Sequence, residues 1–225
     1  MSQNLNNLDV SNIFIAKSGR SVKLLTKNAE GKLVPVQITT SKMYTPFGVK
    51  IDSNQYSSFT NCSVSCSLDK STTIVQKNKI EELEKKIVSL IKDSMDLFPK
   101  ETQSITFDDT DSFYCPLLRG NSSYPKLMKL SLPRDKNGNF DFFVFGENKE
   151  KVPITDSNIE DVLFKGACFR GIIECSKLWY YNGRIGSTWN VVQLRLEKKT
   201  TYNEDSEPQV VPVSSVNCNI MLDDD

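Results

Sequence analysis

Alternation of apolar and polar residues, the signature of a strand with one buried face, recurs in short runs through the first 68 residues. Runs 13–16, 22–25 and 32–39 are separated by the turn pairs Ser18-Gly19 and Glu30-Gly31. Run 43–51 is broken by Pro46 and Gly48, which predicts an edge or bulged strand. Run 56–68, rich in Ser, Thr, Val and Cys, predicts another. The period then changes. Over 77–98, Ile80, Leu83, Ile87, Leu90, Ile91, Ser94 and Phe98 follow the 3–4 spacing of one helix face, and Pro99 closes the pattern. Glu81, Glu82, Glu84, Lys85, Lys86, Lys92 and Asp93 occupy much of the remainder. The apolar stripe suits packing against a sheet. A coiled-coil dimer seam of about three heptads stays open as the alternative.

The second half returns to strands. Segments 124–132 and 140–145 flank Asp135-Lys136-Asn137-Gly138-Asn139, whose Asn-Gly pair predicts a hairpin. Segments 167–181 and 186–198 predict a second hairpin turning at Asn182-Gly183. After Thr200 the chain is polar and acidic. About eight strands and one long helix predict a mainly β fold, a Greek-key barrel with the helix inserted between strands. The expected organisation is a flexible N-terminus over 1–11, one domain over 12–200, and an acidic, flexible tail over 201–225.

Charge sharpens that division. The 225 residues hold 28 Lys and Arg against 28 Asp and Glu. Residues 201–225 contain six acids and no Lys or Arg, so the tail is formally −6 and residues 1–200 are +6. A mildly basic body with an acidic appendage is compatible with a polyanionic partner. No apolar run nears the roughly 18 residues of a membrane span, and residues 1–12 do not read as a signal peptide. A soluble, intracellular protein is expected.

Catalytic chemistry finds little support in the sequence. There is no histidine, no Gly-x-Ser-x-Gly elbow and no glycine-rich phosphate loop. The six cysteines lack zinc-site spacing and read as free, buried thiols. Asp108-Asp109-Thr110-Asp111-Ser112 is similar over four residues to the Asp-Thr-Asp-Ser element of family B DNA polymerases. That likeness leaves a cryptic metal-dependent enzyme as one alternative. Asp-rich turns are common for structural reasons, and the expectation is no enzyme, no metal and no cofactor.

The second predicted hairpin carries the strongest signal. In 186–198, Val192, Leu194 and Leu196 alternate with Trp189, Gln193 and Arg195. An aliphatic face opposite an aromatic and basic one suits a single-strand groove, where bases stack on rings and cations track phosphates. On the partner strand, Phe169, Lys177, Trp179 and Tyr181 have matching parity, although a bulge would flip it. The bland reading is that Trp and Tyr fill a small core.

From Lys165-Gly166 through Leu178-Trp179-Tyr180 to Gly183-Arg184-Ile185-Gly186-Ser187-Thr188-Trp189-Asn190-Val191-Val192-Gln193-Leu194-Arg195-Leu196, the chain resembles the closing strands of the single-stranded DNA-binding proteins of large nucleocytoplasmic DNA viruses. Those in turn resemble the OB-fold single-stranded DNA-binding proteins of podophages. The resemblance covers 165–196 specifically and 20–200 in layout. It implies an OB-fold-like barrel that binds single-stranded DNA in replication, repair or recombination, in host cytoplasm or nucleus. It also implies an acidic tail that competes with DNA and docks replication proteins. The expected stacking residues are Trp179, Tyr181 and Trp189. Lys165, Arg170, Lys177, Arg184, Arg195 and Lys129 are the expected phosphate contacts. A structural or virion-associated protein-binding β-module is the rival reading, and a homodimer is left open.

Overall fold

The computed structural model describes residues 2–19, 21–52, 60–68, 73–99, 102, 113–120 and 125–197. The tail 201–225 and the Asp108–Asp111 cluster lie outside the described residues.

The strands, in chain order, begin with β1 (Gln3–Asn4), β2 (Ile13–Ser18), β3 (Ser21–Lys27), β4 (Leu33–Pro35) and β5 (Gln37–Thr39). They continue with β6 (Met43–Tyr44), β7 (Val49–Asp52) and β8 (Asn61–Leu68) before helix α1 (Thr73–Asp93). Then come β9 (Tyr114–Cys115), β10 (Leu118–Arg119), β11 (Leu127–Leu132), β12 (Phe143–Phe145) and β13 (Lys151–Val152). The short helix α2 (Ile159–Val162) precedes the two longest strands, β14 (Cys168–Tyr181) and β15 (Arg184–Glu197).

Five of these elements close on themselves. β6 pairs with β8, β8 with β11, β11 with β15, β15 with β14, and β14 with β6. Only the β11–β15 seam of this ring is parallel. In this order the first barrel strand lies between the second and fourth, and the third lies beside the fifth. That is the closed Greek-key order of the OB-fold. Inward residues of each strand meet in the middle: Met43, Val64, Leu130, Phe169 and Leu194 are all buried. The outer meander β2–β3–β4 joins the sheet where Val22 pairs with Leu178 of β14.

Helix α1 lies between the second and third barrel strands. Its stripe Ile80, Leu83, Ile87 and Ile91 is sealed within the chain's own core, so the packing reading holds and the stripe offers no coiled-coil seam. The helix starts four residues before the predicted 77. The early turn carries Gln76, which is buried and bonded to Ser41, a polar contact invisible to apolar periodicity. The α-helix also stops early. After Asp93 the chain tightens into a 3-10 turn, Met95–Leu97, that still delivers Phe98 to the core. No helix among the described residues is long and apolar enough to cross a membrane.

Two expectations are corrected. Residues 1–11 were expected to be a flexible lead, yet β1 runs parallel to β5, and Leu5 and Leu8 are buried in the core. Two leucines in a polar, Asn-rich stretch are too few for periodicity to flag, but burying both stabilises the segment by a few kcal/mol. The predicted hairpin of 124–132 with 140–145 does not form. The turn at Asp135–Asn139 is present, held by Asp135 accepting from the Asn137 and Asn139 amides. A single bridge, Arg134 to Phe140, follows it. The two strands then part, and β11 and β12 each add in parallel to β15.

Cys62, Cys66, Cys115 and Cys175 are free, buried thiols, and Cys168 is half-buried. Burial pushes the Cys66 thiol up and that of Cys175 to about 12, the behaviour of small apolar filler. Among the described residues no group of three or more Cys, Asp or Glu side chains could hold a metal ion.

Candidate nucleic-acid interface

The second predicted hairpin is present as β14 and β15. They turn at Asn182 (φ 47°) and Gly183 (φ 76°), the paired left-handed geometry of a type I′ turn. Two register shifts divide it. Cys175 pairs with Trp189 and Lys177 with Thr188, so Ser176 is the extra residue on β14. Ile172 pairs with Gln193 and Ile173 with Val191, so Val192 is the extra residue on β15. Each bulge flips the side-chain parity of its own strand. With Val192 bulged, Trp189 and Leu194 both point inward. The expected stacking role of Trp189 is therefore corrected: the side chain is 1% exposed, a core residue whose indole Nε1 donates to Ser187 Oγ at 2.9 Å. Phe169 is likewise buried.

Beyond the Ser176 bulge the other parity rules. Lys177, Trp179 and Tyr181 share one face of β14, opposite Thr188, Gly186 and Arg184 respectively. Lys177 and Arg184 are exposed, Trp179 is half-buried, and Tyr181 is 69% exposed. The absence of a side chain at Gly186 explains how Trp179 sits. A Cβ there would stand 2.3 Å from Trp179 Cζ2, so the indole lies flat against bare backbone. Arg184 donates to the Tyr114 carbonyl at 3.3 Å, which holds its guanidinium beside β9. Two aromatic rings and two cations thus occupy one outer face of a projecting arm. In OB-type barrels this arm, between the fourth and fifth strands, and the face of the second and third are the usual oligonucleotide surfaces.

No protein-family model matches the chain, and no curated protein matches it in sequence. Among solved structures, it is similar in shape to the single-stranded DNA-binding protein from bacteriophage Enc34, C-terminal truncation. There the identity is 9%, over 85% of this chain and 98% of that one, with a TM-score of 0.44. The Enc34 protein in complex with ssDNA gives 10%, 84% and 96%, with a TM-score of 0.43. For gp2.5, a single-stranded DNA binding protein encoded by bacteriophage T7, the figures are 13%, 77% and 98%, with a TM-score of 0.41. These are phage proteins, and the expected tie to large nucleocytoplasmic DNA viruses finds no support in them. The barrel assignment here stands on the strand pairing above.

The remaining expected cations scatter. Lys129 is exposed on the outer face of β11, opposite Ser65. Ser131 pairs with Asn190, so counting back two residues on both parallel strands sets Lys129 level with Thr188, across from Lys177. Arg170 and Arg195 face each other at the far end of the hairpin. Arg170 is ion-paired with Glu197, which compensates its charge. Arg195 donates to the Glu147 carbonyl at 3.3 Å, while its Nε is buried without a partner. Lys165 is exposed on the bend before β14.

Sequence reading missed the hydroxyl-lined wall beside Lys129. Ser63 and Ser65 on β8 and Ser131 on β11 share its outer face, and Lys50 of β7 stands opposite Ser63. A cleft of about 340 Å³ opens there between Asp52, Asn61, Lys129, Ser131 and Asp135. The signal was present as the Cys-Ser-Val-Ser-Cys-Ser alternation of 62–67, which was read only as a strand. Arg134 borders the same cleft but is a clamp. It bonds the Thr60 and Gly138 carbonyls, pairs with Asp156 and lies 4.0 Å over the Phe140 ring.

Proposed function

We propose that this chain is a non-catalytic single-stranded DNA-binding protein that binds with little sequence preference. The observation that carries the reading is the arm of β14 and β15, where Lys177, Trp179, Tyr181 and Arg184 share one outer face of an OB-type barrel. Bases stack on Trp179 and Tyr181, each contact contributing about 1–3 kcal/mol, and the strand then passes Lys129 on the barrel wall. Lys177, Arg184 and Lys129 meet phosphates, so affinity falls steeply with salt. Arg170, Arg195 and Lys165 lie too far along the hairpin to serve the same rings, and the first is charge-compensated. Covering exposed strands suits replication, repair or recombination. The −6 tail competes with DNA for these cations and offers a docking segment for replication proteins.

The test is intrinsic fluorescence titrated with an oligo-dT across salt concentrations. Trp189 is sealed, so quenching reports Trp179. Salt-sensitive quenching that disappears in Trp179→Phe supports the reading. No binding at low salt sinks it and leaves a protein-binding β-module. Removing 201–225 should tighten binding several-fold at low salt; unchanged or weaker binding rejects the competition.

A further inference from the structure

Phe47 is 71% exposed and Phe164 56%, values matched among the described large apolar side chains by few others. They are 117 positions apart in sequence yet belong to one edge of the barrel. Phe47 tips the bend between β6 and β7; Phe164 tips the bend between α2 and β14. The two bends are bonded backbone to backbone. The Thr45 amide donates to the Ala167 carbonyl at 3.0 Å, and the Gly166 amide donates to the Thr45 carbonyl at 2.7 Å. The Gly48 amide in turn donates to Thr45 Oγ1 at 3.0 Å.

Gly48 locks the mount. Its φ of +74° suits glycine, and a Cβ there would stand 3.1 Å from the Lys165 amide nitrogen and 3.2 Å from the Leu163 carbonyl oxygen. Two exposed rings on a fixed frame lose little freedom on stacking against a flat partner. Lys165 follows Phe164 and is exposed. Lys50 stands three residues beyond Phe47, ion-paired with Asp52 at 2.9 Å. Glu160 and Asp161 of α2 precede Phe164 and are exposed, so the α2 side repels an anionic strand.

We infer that Phe47 and Phe164 form a second base-stacking platform for the same single strand, at the opposite end of the barrel from Trp179 and Tyr181. This rests on the proposed DNA binding. One row of paired residues runs from β7 across β8 and β11 to β15. Lys50 is opposite Ser63, Ser63 opposite Ser131, and Ser131 opposite Asn190 on β15. Tyr44 pairs with Cys168, so the second platform borders the start of β14, and Trp179 lies eleven residues along it, about 36 Å away at 3.3 Å per residue. A strand engaging both platforms must therefore be several nucleotides long, within the span of one OB barrel.

The experiment is a length series, dT4 to dT16, with the full chain, read by Trp179 quenching and by anisotropy of labelled oligonucleotide. The variant is Phe47→Ala/Phe164→Ala, with thermal melting as the folding control. Short oligonucleotides, held by the arm alone, should bind wild type and variant equally. The gain in affinity with length should be lost, by about tenfold for each ring removed. Superimposable length curves overturn the second platform while leaving the arm intact. Failure of wild type to bind any length overturns the DNA-binding reading itself. A second readout uses Phe164→Trp in a Trp179→Phe background. Its emission should be quenched by dT16 and not by dT4, and no quenching by either, with dT16 bound, counts against the platform.

Discussion

The protein has two tryptophans on paired strands of one hairpin, and they live in opposite worlds. Trp179 lies over Gly186 on the outer face of the arm; Trp189, three residues from Gly186 on the same strand, is 1% exposed in the barrel core. Both belong to strands of the same alternating pattern. What separates them is the pleat itself: Gly186 shares the outer face with Trp179, and Trp189, an odd number of residues further along β15 with no bulge between, faces inward. The bulges at Ser176 and Val192 decide which other residues join each face. Identical chemistry on the two faces of a hairpin becomes binding surface or core according to which way the pleat points.

The largest expected effect breaks this comparison at the core end. Trp189→Ala should cost about 3–5 kcal/mol of stability, read as a lower urea midpoint, because it empties a sealed site. Loss of DNA binding without loss of stability would place that ring on the surface after all. At the arm end, Trp179→Ala should leave the urea midpoint nearly unchanged and weaken dT binding about tenfold, the worth of one stacked base. Gly186→Ala sharpens the same point with a smaller change. Its Cβ would meet the indole at 2.3 Å, so the ring must lift, shifting its emission and weakening binding by no more than Trp179→Ala does. The smallest effect is on the wall. Lys129→Ala should reduce the slope of log affinity against log salt by about 0.7, one phosphate contact, whatever the oligonucleotide sequence.

Much of this molecule is legible along the chain. The helix face of Ile80, Leu83, Ile87 and Ile91, the closing hairpin with its Asn182-Gly183 turn, and the broken strand at Pro46 and Gly48 all follow from local period and turn chemistry. Lys177, Trp179, Tyr181 and Arg184, which the structure sets on one outer face, were singled out because four informative residue types fall within eight positions of one turn. Trp189 was misplaced because strict alternation was carried through Val192, and nothing about two consecutive valines announces an extra residue. Leu5 and Leu8 were missed because isolated leucines carry no period. Nothing in the sequence singles out the exposed Phe47 and Phe164, because each is a lone aromatic in a loop.

Local periodicity, turn residues and charge distribution therefore determined by themselves the mainly β class, the long amphipathic helix, the basic body with its acidic end and the hairpin that bears the candidate site. Only the tertiary structure decided the ring closure β6–β8–β11–β15–β14, which tryptophan faces solvent, and the meeting of the Thr45–Gly48 bend with the 163–166 bend. The reason is range. Side-chain period and turn preference are properties of a few adjacent residues, whereas register across a bulge and contacts more than a hundred residues apart are set by the packing of the whole barrel.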